Sequence, residues 1–258
     1  MSFKHYFPVL LLVSGNCKTG TNPEIQLSVV YKNVTDSSKL AIISDILLPQ
    51  GYKRTFSDSI SFGNWLRDIK MKKDNKVYLY DGRLKENQKA QYAVLDISTG
   101  TKDLQQCADA IMRLRAEYLF KMKRYGEIVF KDNVDKEYRF LPPYNSENLQ
   151  LYLQKVFGMC GSASLSKQMR SGHISTIEPG DILISGGFPG HAVIVLDVAS
   201  NKKGNKIYLL AQSYMPAQDI HVLINPTDSI LSPWYQLNNN KIINTPEYIF
   251  RNTELKKW

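Results

Sequence analysis

Three residues in this chain have the chemistry to make and break an acyl bond: Cys107, His191 and Gln212. Cys107 lies in Asp103-Leu104-Gln105-Gln106-Cys107-Ala108-Asp109, near the start of the longest helical pattern. A helix N-terminus offers free N–H groups and the positive end of the dipole, and both favour a thiolate. His191 opens the run His191-Ala192-Val193-Ile194-Val195-Leu196-Asp197-Val198, directly after Gly186-Gly187-Phe188-Pro189-Gly190. Such a near-continuous β-branched run suits a strand buried on both faces. A strand can hold a histidine at its mouth while the ring faces a cleft. Gln212 ends the next apolar run and falls beside His191 if the two strands pair as a hairpin. A thiolate, an imidazole and a polar orienter are the parts of a cysteine-hydrolase triad. In that arrangement the histidine holds the thiolate as an ion pair and later protonates a leaving amine. The polar residue fixes the ring tautomer, and the backbone N–H of Cys107 supplies an oxyanion donor. Plainer roles stand beside these. A cysteine on an apolar helix face is ordinary core, and a histidine after a tight turn can simply end a hairpin.

The elements that must position these residues can be read from periodicity. Leu104, Cys107, Ala108, Ile111, Leu114, Ala116 and Leu119 form a broad apolar face, which predicts a helix over 103–120 capped by Thr101 or Asp103. Pro179-Gly180-Asp181 is turn chemistry ahead of a strand at 182–184. Further strands are expected at 76–80, with Asp81-Gly82 as a hairpin turn, and at 91–97, 128–130, 207–212 and 220–224. Helices are expected at 57–69, capped by Ser59 or Ser61, at 146–157 and at 165–170. The tail from Asn225 to Trp258 is expected to pack its aromatics across the sheet. Neither a repeat nor a dividing linker is visible, so 40–258 reads as a single α+β domain with an antiparallel sheet against the Cys107 helix.

The remaining polar candidates read more plainly. Cys160 has no partner base and reads as structural. It and Cys107 are either a disulfide or separate thiols. His221, on a later strand with alternating neighbours, points either into the cleft or, more plainly, to the surface, and His173 reads as a loop residue. Arg113 and Glu117 are spaced as an i, i+4 pair, Asp109 either caps the helix or pairs with Arg113, and Asp96 marks an edge or a site. The four histidines and the cysteines show no metal-ligand spacing. The Gly-rich turn precedes a strand, whereas a phosphate loop precedes a helix. No cofactor is implied.

The chain has 258 residues, 43% of them hydrophobic, enough for a substantial core. Its net charge of +9 is spread along the chain without a basic block, which argues against a nucleic-acid partner. The start is basic, followed by a short apolar run from Phe7 to Val13 and then Ser14-Gly15-Asn16-Cys17. That run is too short to span a bilayer. It reads as an export signal over 1–17 followed by a tether over 18–39. Small residues before Cys17 resemble a bacterial lipoprotein signal, in which the cysteine becomes lipidated and anchors the chain to a membrane of the cell envelope. In that pattern a small residue normally stands where Asn16 is.

The order of a helix-borne cysteine, a Gly-Asp-apolar strand, a turn and His-Ala-Val-Ile-Val-Leu-Asp-Val resembles NlpC-type peptidases and related amidases of the papain-like clan. The stretches 103–109, Arg113-Leu114-Arg115-Ala116-Glu117-Tyr118-Leu119 and Gln212-Ser213-Tyr214-Met215-Pro216-Ala217-Gln218 carry a closer resemblance. It is to a family of bacterial lipoproteins with this core, a domain of unknown function, and it covers about Leu48 to Tyr214. The resemblance implies a papain-like fold with Cys107 as nucleophile, His191 as base and Gln212 as orienter. It also implies an envelope hydrolase acting on an amide, such as a peptidoglycan peptide. Two positions depart from the peptidase pattern. The Asp-Cys-Ser/Gly box is here Gln106-Cys107-Ala108, and the third position, commonly His, Asn or Asp, is Gln212. A neutral glutamine steadies an imidazolium less, so the alternative is an inactive binding or scaffold lipoprotein on the same fold.

Overall fold

The longest strand of the molecule runs from His191 to Asn201, and the rest of the chain is laid around it. The computed structural model describes residues 41–258. The signal segment, the tether and Cys17 lie outside the described residues. In chain order come β1 (Tyr52–Arg54), α1 (Phe62–Arg67), β2 (Gln91–Val94), α2 (Cys107–Lys121), β3 (Val129–Lys131) and β4 (Glu137–Arg139). Next are α3 (Ser146–Met159), α4 (Ser162–Gln168), β5 (Arg170–Ser171), β6 (Ile182–Ser185), β7 (His191–Asn201) and β8 (Lys206–Gln212). The chain closes with β9 (His221–Leu223), β10 (Tyr235–Gln236), β11 (Ile242–Asn244), β12 (Ile249–Arg251) and β13 (Leu255–Lys257).

Nine strands make one sheet in the order β2-β9-β8-β7-β6-β13-β5, with β1 added to β7 and β10 to β8. Every pairing in it is antiparallel. This is an α+β molecule with a large antiparallel sheet. Strand alternation divides the core in two. Ala192, Ile194 and Leu196 of β7 join Ala108, Ile111 and Leu114 of α2 in the larger core. Val193 and Val195 face the other way, onto Tyr208, Leu210 and Phe250. A bulge between Val195 and Asp197 then shifts the register against β8.

Several expectations shift by a few residues. The β6–β7 hairpin forms as anticipated, with Ser185 opposite His191, and Ser61 caps α1 by accepting from the Asn64 N–H. The Cys107 helix begins at Cys107, not at Asp103, and its N-cap is Gln106 in place of Thr101 or Asp103. Tertiary contacts pull the preceding turn away. Asp103 Oδ1 accepts from Ala217 N–H at 2.7 Å, and Ser213 Oγ lies 2.9 Å from the Gln105 carbonyl. The segment 76–80 makes isolated bridges only. Tyr78 pairs with Leu84 across the Asp81-Gly82 turn, with the Leu79 and Lys85 N–H donating to the Arg83 and Val77 carbonyls, while the Tyr78 and Tyr80 N–H turn to Asp219 and Ala217. Asp96 is exposed, beyond the end of β2. The tail does more than cross the sheet: β13 enters it between β6 and β5.

Candidate active site

Cys107 is the first residue of α2, where N–H groups lack intrahelical partners. Asp109 caps this end, its Oδ2 accepting the Gln106 N–H at 3.0 Å, and does not pair with Arg113. Arg113 pairs instead with Glu117 at 2.7 Å. The backbone N–H groups of Ala108 and of Ala192, on the sheet face that α2 covers, are near enough to the Cys107 thiol to pull its pKa down.

The Ala192 contact follows from strand geometry. Val195 donates to the Asp181 carbonyl on the β6 side. N–H directions alternate along a strand, so Ala192 aims its N–H toward β8. There β8 has already ended at Gln212, because Ser213 leaves the ladder for the carbonyls of Gln105 and Gln218.

His191 and Gln212 belong to the other face of the sheet. His191 Nε2 lies 2.9 Å from Gln212 Oε1. The ring packs among Tyr214, Tyr248 and Phe250, with centroid separations of 4.7, 5.0 and 5.8 Å. The structure therefore brings the predicted base and orienter into direct contact. It brings the predicted nucleophile to the backbone of the residue next to the base. Among the described residues no hydrogen bond joins the Cys107 thiol to the His191 ring, whose side-chain partner is Gln212.

Electrostatics revises the expected ion pair. Burial pushes the Cys107 thiol up to about 11, against the pull of the Ala108 N–H. Burial drives the His191 imidazole down to about 4, against the pull of Gln212. Both groups rest neutral at pH 7, because a helix end does not outweigh removal from water. Cys160 is likewise a buried free thiol, so the two cysteines are not linked.

Four members of the site were not anticipated. Gln212 Nε2 donates to Glu247 Oε2 at 2.7 Å, and that carboxylate also takes Lys85 Nζ at 2.5 Å and Asn87 Nδ2 at 3.0 Å. His221, expected at the surface, is fully buried, with its Nε2 3.4 Å from Gln212 Nε2. It is covered on both sides because β9 lies inside the sheet between β8 and β2. No spacing rule ties residues 85 and 247 to residue 212; only the return of the tail unites them. His173 is an exposed loop residue, as expected.

A family model described as a domain of unknown function (4846) matches the chain over residues 42–142 and 132–257, which include every residue of this site. No curated protein and no solved structure matches it.

Proposed function

The chain belongs to this domain-of-unknown-function family (4846), and on that premise we propose that it is a cysteine hydrolase of amide bonds on a papain-like, NlpC-type core. The single observation that carries the reading is the meeting at the end of β8. The Cys107 sulfur lies against the Ala192 N–H, while the preceding residue, His191, holds Gln212 at 2.9 Å. The Cys107 helix and the His191 ring lie on opposite faces of β7, so hydrolysis requires thiol and ring to meet past the end of β8, beside Tyr214, which neighbours both. With Nε2 engaged by Gln212, Nδ1 is the nitrogen left for the thiol proton.

The chemistry runs by general base catalysis from neutral partners. As Sγ attacks the amide carbon, His191 Nδ1 takes the thiol proton. The carbonyl oxygen gains negative charge beside the N–H groups that open α2. The tetrahedral intermediate collapses, the C–N bond breaks, and the imidazolium gives its proton to the leaving amine. Water, deprotonated by the same ring, then cleaves the thioester and restores the thiol. Tyr214 and Tyr248, both half-buried, pack against the ring. The expected export signal and lipidated Cys17 would tether the chain in the cell envelope, which makes peptidoglycan peptides the substrate class in reach.

One observation favours a second reading, an inactive binding or scaffold lipoprotein. A thiol pushed up to about 11 and an imidazole held down to about 4 are far apart for proton transfer. The experiment that separates the two is hydrolysis of cell-wall peptides by wild type, Cys107→Ser and His191→Ala. The hydrolase reading expects turnover by wild type alone, with the melting temperature of Cys107→Ser nearly unchanged. Equal inertness of all three on every amide offered leaves the scaffold reading.

A further inference from the structure

We propose that Glu247, together with His221, is a positioning group that fixes the tautomer of His191 by fixing which way round the Gln212 amide sits. A glutamine amide has an accepting end and a donating end, and its contacts decide between two orientations. On one side of Gln212 stand two acceptors. Glu247 Oε2 lies 2.7 Å from Gln212 Nε2. His221 Nε2 lies 3.4 Å from the same nitrogen. His221 must present a lone pair there, because its other nitrogen, Nδ1, lies 2.9 Å from the Asp219 carbonyl, which can only accept.

The amide nitrogen therefore has a use for both of its protons. Reversing the amide would set Oε1 against a carboxylate and a ring lone pair, with no proton between them. Gln212 Oε1 is thus left for His191, and an oxygen acceptor 2.9 Å away requires the proton on His191 Nε2. Nδ1 then carries the lone pair. The carboxylate that drives this is itself pinned by Lys85 at 2.5 Å and Asn87 at 3.0 Å. A charge pair two links from the ring decides which nitrogen of His191 is basic, although Glu247 does not touch it. The tautomer follows from these contacts alone; its catalytic meaning rests on the hydrolase reading above.

The test is long-range proton–nitrogen NMR of the ¹⁵N-labelled full chain at pH 7, which distinguishes a protonated from an unprotonated ring nitrogen. Wild-type His191 is expected as the Nε2–H form alone. The paired variant Lys85→Met with Glu247→Leu removes the driving charge without stranding its partner, and the Nδ1–H form should then appear. Glu247→Gln keeps an acceptor in the same place and should restore the wild-type pattern. The proposal is overturned if wild type carries the proton on Nδ1, a result that needs no variant to fold. It is overturned equally if the double variant, with His221→Phe added to remove the second acceptor, stays wholly Nε2–H. On a cleavable peptide the double variant should lose kcat by roughly 10–100-fold, the usual weight of groups that orient a working histidine, with KM nearly kept. If the spectra behave as described while wild type cleaves nothing, the hydrolase reading fails and the positioning role stands.

Discussion

The two ends of β7 bury polar groups in opposite ways. At the far end Asp197 is fully buried beside the bulge, and both its oxygens are taken. Arg54 Nε reaches Oδ2 at 2.6 Å, while Arg67 Nε and the Val198 N–H reach Oδ1 at 2.6 and 2.8 Å. Arg54 goes on to the Ile46 carbonyl, so the cluster ties the start of the domain and α1 to the sheet. It has nothing left to offer a newcomer. At the near end His191 is almost as deeply buried, yet only one of its nitrogens has a side-chain partner and the ring is neutral. The full charges stand back at Glu247 and Lys85. A closed ion cluster clamps a fold. A neutral relay with one open atom is where chemistry can be added without unpairing a charge.

The contrast breaks first at Asp197. Asp197→Ala strands the buried Arg67 and the part-buried Arg54 and is expected to cost about 3–5 kcal/mol, read as a large fall in the urea midpoint. Cys107→Ser, which removes no charge, should leave that midpoint nearly in place. If the two variants unfold together, the clamp and the relay are not different kinds of site.

Acid sharpens the same comparison. His191 titrates at about 4 in the folded chain against 6.5 ordinarily, and His221 at about 3. The unfolded chain therefore binds these protons first as pH falls. Their stability is fully present above pH 6.5 and is lost as pH falls from there toward 4 and below. For His191 alone the loss by pH 4 is about 3 kcal/mol. Urea titrations between pH 7 and 4 should show it, and His191→Gln should make that slope shallower by about one proton. At the alkaline side, a thiol held up to about 11 should alkylate slowly at neutral pH in the folded chain. Rapid labelling of Cys107 that depends on His191 would mean the pair is already ionised.

Much of the fold was legible where local chemistry and tertiary contacts agree. The β6–β7 hairpin is bracketed by Gly180-Asp181 and a Gly/Pro turn, so its strands and the place of His191 follow from sequence. The pairing that puts Gln212 beside His191 follows from the short loop between β7 and β8. The start of α2 was not legible, because Asp103 and Gln105 are drawn off by Ala217 and Ser213, more than a hundred residues away. His221 was misjudged because three residues of strand do not reveal that another strand flanks each side. Glu247 and Lys85 left no signal at all: an ordinary Glu and an ordinary Lys become a buried pair only when the tail folds back.

Asp109 supplies the smallest and most discriminating effect, since it is a second buried aspartate and is treated unlike Asp197. Its Oδ2 caps the Gln106 N–H, but its Oδ1 is buried without a partner, and burial raises its pKa well above the ordinary carboxylate value. A raised folded pKa means that stability is complete below the unfolded value of 3.8 and is eroded as pH rises. Asparagine has the same shape, keeps the capping oxygen and cannot ionise. Asp109→Asn should therefore be at least as stable as wild type at pH 7, within about 1 kcal/mol or better, with any gain shrinking toward pH 4. The corresponding change at Asp197, Asp197→Asn, removes the charge that two arginines require and should be costly at the same pH. Equal penalties at both positions in urea melts at pH 7 would mean that Asp109 holds a full charge with a counter-ion, and the helix end that presents Cys107 would then be anionic.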